Sequence, residues 1–202
     1  MRKQIEWLYK PANLNADYRE EILELFKVYV PDLESEKSSR FIAITEHDGF
    51  KQKCPNLYKK LCDWKIGDRL AEMAFIIVPP GVTFPIHRDY PKWEFRNIGL
   101  LMPVINCEDS YTAMYDAEVI SEVVNKIVGD SSYSRRSQRV NEETAKEIAR
   151  VPSDTPHWIN VFQPHAPRVN HDKYRVTFSI RFRPELFDVM EDGSFDRDMV
   201  KQ

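Results

Sequence analysis

The sequence contains little cysteine and little glycine. Three of its 202 residues are cysteines, Cys54, Cys62 and Cys107, and they form no Cys-x-x-Cys pair. Because the number is odd and the spacing wide, the sequence predicts neither a disulfide framework nor a thiolate zinc site. Glycine and proline contribute only 6 and 13 residues, which disfavours a fibrous or disordered chain. We therefore expect a globular protein in a reducing compartment.

Long apolar runs and an excess of charge of one sign are also missing. No stretch of about 18 apolar residues occurs, and the N-terminus is charged where a secretory signal would be apolar. The formal net charge of −3 provides no general field to attract nucleic acid or an anionic membrane. The sequence thus predicts a cytoplasmic protein without a membrane partner, disfavours a nucleic-acid partner and leaves the oligomeric state open.

The chain has the length of one domain, with terminal elaborations around a strand-rich core. We expect a helical part over about residues 1–70, a core over about 71–187 and a polar tail over 188–202. Apolar periodicity predicts one helix that is capped by Asn15 and ends before Pro31, and a second helix from about Asn56 to Trp64.

After Leu70 the pattern becomes that of short strands separated by turn residues. The predicted strands cover residues 74–78, 83–89, 97–105, 111–115, 158–162 and 174–182. Such strands are typical of a mostly β (α+β) jelly roll, with the N-terminal helices packed outside. Residues 116–153 are interpreted as a long insertion, in which 142–150 could form a short helix.

The segment His87-Arg88-Asp89 is the first candidate metal site. Side chains alternate along a strand, so His87 and Asp89 point to one side and Arg88 to the other. A second histidine from a distant strand would complete a facial triad of two imidazoles and one carboxylate. Such a triad leaves three positions open on Fe(II), enough for a bidentate co-substrate and O₂.

A distant histidine is available at His165, ten residues before Arg175 and across a turn that contains Pro167 and Asn170. A hairpin of that length could bring the imidazole and the guanidinium into one cavity. 2-Oxoglutarate chelates iron at one end and presents a carboxylate at the other, which an arginine binds better than a lysine. His157 and His171 remain alternative third ligands.

The strand that starts at Arg175 alternates between polar and apolar residues up to Arg183. Its polar face includes Arg175, Thr177 and Ser179. This face either meets solvent or forms the wall of a binding site, where the two hydroxyls could add contacts to a carboxylate.

Several short motifs together resemble the 2-oxoglutarate and Fe(II)-dependent oxygenases, and most closely their aspartyl/asparaginyl β-hydroxylase-like branch. The matching residues are Pro80-Gly81 before Pro85-Ile86-His87, Gly99-Leu100 before Pro103, His165 with Arg175, and Pro184-Glu185-Leu186. The resemblance covers about residues 74–186.

The resemblance implies a double-stranded β-helix and an iron site made by His87, Asp89 and His165. It also implies that Arg175 holds 2-oxoglutarate, with Asn97 as a second contact, and that O₂ and ascorbate take part as oxidant and reductant. The substrate would be a peptide side chain or a small molecule. The chain departs from the branch at Asp89, because the namesake hydroxylases lack this carboxylate.

Two other functions compete with this interpretation. One is a non-catalytic jelly-roll binding or structural protein, in which the histidines only stabilise the fold. The other is a cupin-like metalloenzyme that does not use 2-oxoglutarate. Arg175 separates the hypotheses, since neither rival needs it.

Overall fold

The computed structural model describes residues 7–15, 17–89, 98–127, 134–169 and 172–183, together with Met199. In chain order the elements are β1 (Tyr9–Pro11), α1 (Tyr18–Tyr29), β2 (Arg40–Ile44), α2 (His47–Lys53), α3 (Pro55–Asp63), β3 (Leu70–Val78), β4 (His87–Asp89), β5 (Ile98–Ile105), β6 (Ser110–Asp116), β7 (Val119–Ile127), β8 (Ser134–Val140), β9 (Lys146–Pro152), β10 (His157–Asn160), β11 (His165–Val169) and β12 (Arg175–Phe182).

The strands form two six-stranded antiparallel sheets. The first sheet has the order β1-β10-β5-β12-β3-β2, and the second has the order β7-β8-β4-β11-β6-β9. Consecutive strands repeatedly cross from one sheet to the other, as in a jelly roll. The predicted mostly β fold is confirmed.

The helices cover the outer face of the first sheet. Phe178 and Phe75 of that sheet pack with ring centroids 4.9 Å apart, and Phe26 of α1 meets Phe75 edge-on at 5.0 Å. The inner face of the same sheet meets the second sheet, where Leu101 and Met114 belong to one small apolar cluster. The space between the sheets is therefore a second, partly polar interior.

The first sheet separates these two interiors, and its strand β12 contributes side chains to both. Val176, Phe178 and Ile180 belong to the apolar core beneath the helices, so the alternating polar side chains face the space between the sheets. The whole strand is buried. The polar face predicted from Arg175 onwards is thus a wall of the interior and does not meet solvent.

Several boundaries differ from the sequence predictions. The helix α1 begins at Tyr18 after Asp17, and the Asn15 side-chain amide donates to the Asp17 carboxylate, so Asn15 does not cap the helix. Its end before Pro31 is as predicted. The elements β1, β2, α2, β7, β8 and β11 were not predicted, and Pro167, which was expected in a turn, lies within β11.

The strand predicted over residues 83–89 shrinks to β4, His87–Asp89. Pro85 has no N–H to donate to a neighbouring strand. The N–H of Ile86 donates to Oε1 of Glu142 at 3.2 Å and so is not available for a strand ladder.

The expected short helix over residues 142–150 is wrong. Residues 142–144 form a turn, and Lys146–Pro152 forms β9, which pairs with β6. Val151 is fully buried and Ala149 packs beside it between the sheets. This pairing and burial override the local helical tendency of the segment. The insertion 116–153 thus completes the second sheet with β7, β8 and β9.

Both ends of the described chain reach the first sheet. The strand β1 pairs with β10 at its edge. The carbonyl of Met199 accepts hydrogen bonds from Trp158 Nε1 at 3.0 Å and from the Asn13 N–H at 2.8 Å. Met199 is buried, and the rest of the predicted polar tail lies outside the described residues. Within the described ranges, every helix falls short of the length and apolarity needed to cross a bilayer.

Candidate metal centre

His87 and His165 lie directly opposite each other on the neighbouring strands β4 and β11. Residues paired in this way carry their side chains on the same face of the sheet. The two imidazole ring centroids are 4.6 Å apart. The strand pairing therefore brings together two nitrogen ligands that are 78 positions apart in the sequence.

Asp89 adds a carboxylate from the same face of β4. Its Oδ1 lies 3.6 Å from Nε2 of His87. One ligand atom from each of His87, Asp89 and His165 lies within 4.8 Å of the others. The three predicted ligands are thus close enough to share one metal ion.

Backbone carbonyls orient both imidazoles. Nδ1 of His87 lies 3.1 Å from the carbonyl of Pro85, and Nδ1 of His165 lies 2.8 Å from the carbonyl of Gln163. A carbonyl only accepts, so each Nδ1 is the donor, and in a neutral imidazole Nε2 is then the nitrogen with the lone pair. Both rings therefore present the atom that a metal requires.

His157, the alternative third ligand, lies outside this cluster. It is buried on β10 opposite Leu101, and its Nδ1 lies 2.9 Å from the carbonyl of Thr155. Burial and the nearby Arg175 lower its pKa to about 4. The structure therefore places His165, and not His157, beside His87. His171 lies outside the described residues.

A cavity of about 440 Å³, including its open mouth, lies between the sheets at this cluster. Its wall includes His87 and His165 at one part, and Arg175 and Thr177 of β12 at another. Ser179 is buried on the same face of β12. Among the described residues, it is not one of those that line the cavity. Asn97, the other predicted contact, lies outside the described residues.

Arg175 is a buried cation with few partners. The residue is 2% exposed, and its Nη2 donates to Oγ of Ser153 at 2.7 Å. Its Nε is buried and has no hydrogen-bond partner among the residues that the structure describes. Burial lowers the pKa of the guanidinium, while the Cys107 thiol beside it acts in the opposite direction. Among the described residues no carboxylate pairs with Arg175, so its surroundings favour an anionic ligand.

A second arginine at the site was not predicted. Arg181 lies on the polar face of β12, and its Nη2 donates to Oδ2 of Asp89 at 3.0 Å. The alternation of β12 places Arg181 on the same face as Arg175, and this pattern could have identified it. Its partner, however, is 92 residues away in the sequence.

The comparisons with known proteins provide information about the fold of the chain only. No protein-family model matches the chain, and no curated protein sequence matches it. The fold is similar to that of a prolyl-4-hydroxylase from Pseudomonas putida, with 11% identity, a TM-score of 0.50, and coverage of 88% of this chain and 92% of that chain. This likeness confirms the expected double-stranded β-helix.

Two further structures give weaker matches. HygX from Streptomyces hygroscopicus, solved with nickel and 2-oxoglutarate bound, is 11% identical with a TM-score of 0.48, over 87% of this chain and 81% of that chain. SnoK, a non-haem α-ketoglutarate-dependent carbocyclase from nogalamycin biosynthesis, is 12% identical with a TM-score of 0.45, over 87% of this chain and 78% of that chain.

Proposed function

We propose that the protein is a non-haem Fe(II) dioxygenase that couples oxidative decarboxylation of 2-oxoglutarate to hydroxylation of a peptide side chain or a small molecule. One observation carries the proposal. The two imidazoles of a cluster that also contains a carboxylate line a cavity together with a buried arginine that has no carboxylate partner among the described residues.

The donor set fits Fe(II). Two neutral imidazole nitrogens and one carboxylate oxygen are the ligands of the non-haem iron oxygenases, and they leave positions for a co-substrate and O₂. His87, Asp89 and His165 would hold the metal. Fe(II) held there supplies the redox chemistry of O₂ activation and of the conversion of 2-oxoglutarate to succinate and CO₂.

Arg175 fits the far carboxylate of 2-oxoglutarate. A buried guanidinium without a counter-anion loses hydration that a carboxylate would replace. Thr177 lines the same cavity, and its hydroxyl could donate to that carboxylate. We include Ser179 and Asn97 as further co-substrate contacts, on the polarity of the β12 face and on the family resemblance respectively.

The cavity also supports exclusion of water from the reacting groups. Ile76, Leu101 and Val161 contribute apolar wall to the cavity that His87, His165 and Arg175 also line. A low-dielectric wall strengthens the interaction of the cation with a bound carboxylate. The chain thus supplies binding, orientation and shielding.

Finer assignments belong to the same proposal. Within the oxygenases we place the chain near the aspartyl/asparaginyl β-hydroxylase-like branch, on the motifs around His87 and His165. It differs from that branch by retaining Asp89. We also propose a single cytoplasmic domain, with ascorbate as the reductant that keeps the iron as Fe(II).

The proposal can be tested without knowing the substrate. Oxygenases of this kind turn over 2-oxoglutarate slowly on their own, so purified protein with Fe(II), ascorbate, O₂ and 2-oxoglutarate should form succinate. Without O₂, Fe(II) and 2-oxoglutarate should produce the weak visible charge-transfer band of the chelate. The Asp89→Ala variant and a metal-free sample are the controls.

The outcomes separate the three hypotheses. A protein that binds neither Fe(II) nor 2-oxoglutarate at millimolar concentration, and forms no succinate above the metal-free control, would be a jelly-roll binding protein. A protein that binds the metal but not 2-oxoglutarate would instead be a cupin-like metalloenzyme.

A further inference from the structure

The two sheets are joined beside the metal cluster by an ion pair between Arg181 and Asp89. Nη2 of Arg181 lies 3.0 Å from Oδ2 of Asp89, and the side chains are only 8% and 15% exposed. Arg181 belongs to β12 in the first sheet and Asp89 to β4 in the second. The pair therefore connects the two sheets beside the cavity, whose lining includes Arg181.

The sequence makes room for this arginine at Gly99. Arg181 is paired with Gly99 in the β12–β5 register. A Cβ atom at Gly99 would lie 1.4 Å from Nη1 of Arg181 and 2.7 Å from its Cζ. Since no carbon atom fits there, the guanidinium holds its position only because residue 99 is a glycine.

The ion pair distinguishes the two oxygens of Asp89. Oδ2 accepts from Arg181, whereas Oδ1 faces the imidazole of His87 at 3.6 Å from its Nε2. The oxygen that faces His87 is therefore Oδ1, whereas the oxygen that accepts from Arg181 is Oδ2.

We propose that Arg181 is a positioning residue of the metal centre. It holds Asp89 by Oδ2, so that Oδ1 is the oxygen turned toward His87 and is the one that would meet a divalent cation. This inference rests on the proposed function, because it concerns how the same site would keep room for its co-substrate.

A carboxylate that binds through one oxygen leaves room for the co-substrate, as the number of ligands shows. Two imidazoles and one carboxylate oxygen would fill three of the six positions that an octahedral ion offers. 2-Oxoglutarate would need two positions and O₂ one, so no position would be spare. A carboxylate bound through both oxygens would occupy a fourth position and compete with the co-substrate. Arg181 prevents this by keeping Oδ2 engaged.

The test compares Arg181→Met with the parent protein in two titrations without O₂. Mn(II) titration into the metal-free protein measures metal affinity, and 2-oxoglutarate titration into the Mn(II)-loaded protein measures chelation. We expect the Mn(II) dissociation constant to stay within about threefold of the parent value, because the three ligands remain. We expect 2-oxoglutarate to bind at least tenfold more weakly.

Two more variants keep the test independent of folding defects. Arg181→Lys retains a cation and one donor, so it should restore most of the 2-oxoglutarate affinity. Gly99→Ala leaves Arg181 in place but displaces its guanidinium, and should reproduce the effect of Arg181→Met. Far-ultraviolet circular dichroism and the unfolding temperature identify any variant that does not fold.

The inference is overturned if folded Arg181→Met or Gly99→Ala binds 2-oxoglutarate as well as the parent. It is also overturned if Mn(II) and 2-oxoglutarate affinity fall in proportion, since that is the result of a purely structural ion pair. The parent titrations test the proposed function separately. A parent protein that binds neither probe refutes the oxygenase, whereas a parent that binds both leaves only the role of Arg181 in question.

Discussion

Nη2 of Arg175 donates to Oγ of Ser153 at 2.7 Å, and this bond links the first sheet to the end of β9 in the second. Ser153 is 1% exposed, so the bond is shielded from water. It fixes the direction of a guanidinium that has no carboxylate partner within the described part of the chain. The bond orients a buried cation, which is ordinarily a cost to stability, and under the proposed function this cation would bind the co-substrate.

Replacing Arg175 should separate co-substrate binding from stability. Arg175→Met removes a buried charge, so the free energy of unfolding should fall by no more than about 1 kcal/mol. Affinity for 2-oxoglutarate should fall by 100-fold or more, and Mn(II) affinity should be retained. Urea unfolding and calorimetric titration measure these quantities. An equal loss of stability and of binding would show that Arg175 only supports the fold.

Arg175→Lys tests the geometry of the cation. Lysine keeps the charge but loses the planar fork and the bond pattern to Ser153. 2-Oxoglutarate binding should weaken by about 1.5–3 kcal/mol, which corresponds to roughly 10- to 150-fold. Unchanged affinity in calorimetry would remove Arg175 from the co-substrate site.

His165 and His157 provide a matched pair for the metal. His165→Ala should lower Fe(II) affinity at least 100-fold, because it removes one of three ligands. His157→Gln should leave the affinity within a few-fold of the parent, since His157 lies outside the cluster. Anaerobic Fe(II) titration measures both. Loss of binding in His157→Gln with retention in His165→Ala would reverse the assignment.

Metal binding should also stabilise the protein against heat. An ion that binds only the folded state contributes about 2.7 kcal/mol at 100 times its dissociation constant, which raises Tm by roughly 5–10 °C in a chain of this size. Mn(II) should therefore raise the Tm of the parent protein, and a chelator should reverse the change. His87→Ala should show no such shift, and a full shift in that variant would place the ion elsewhere.

The buried His157 should make stability fall in acid. Its pKa is lowered to about 4 in the folded protein, chiefly by burial, against about 6.5 in the unfolded chain. Between these values the unfolded chain binds a proton that the folded protein does not. The free energy of unfolding should therefore decrease as pH falls from about 6.5 to 4, by up to roughly 3 kcal/mol.

Urea unfolding at pH 7 and at pH 4.5 measures this loss. His157→Gln cannot titrate, so its stability should depend less on pH over the same interval. The parent and the variant would lose equal stability if His157 contributed nothing to the acid sensitivity.

The candidate site could be predicted where a local pattern determined the direction of a side chain. Alternation alone placed His87 and Asp89 on one face, and it placed Arg175 and Thr177 on one face of β12. The ion pair of Arg181 could not be predicted, because it depends on the packing of two sheets and on the space at Gly99. No local sequence pattern indicates how the two sheets pack or how much space surrounds Gly99.

The limits of the fold prediction have the same origin. The segment 142–150 has a local preference for helix. Most of it nevertheless forms the strand β9, because β6 provides hydrogen-bonding partners and Val151 is buried between the sheets. In contrast, Pro31 ends α1 as predicted, because a proline beyond the first turn of a helix removes a backbone donor and clashes with the preceding turn. Local stereochemistry could be predicted from the sequence, whereas preferences decided by distant partners could not.

The strands β4 and β11 meet at a single residue pair, His87 opposite His165. A slip of one position between them would turn one imidazole to the opposite face of the sheet. Only one of the two imidazoles would then face the metal site. If the cluster holds an ion as proposed, binding of that ion would favour the aligned register of the two strands, and the metal content of refolded protein would report the fraction of correctly aligned molecules.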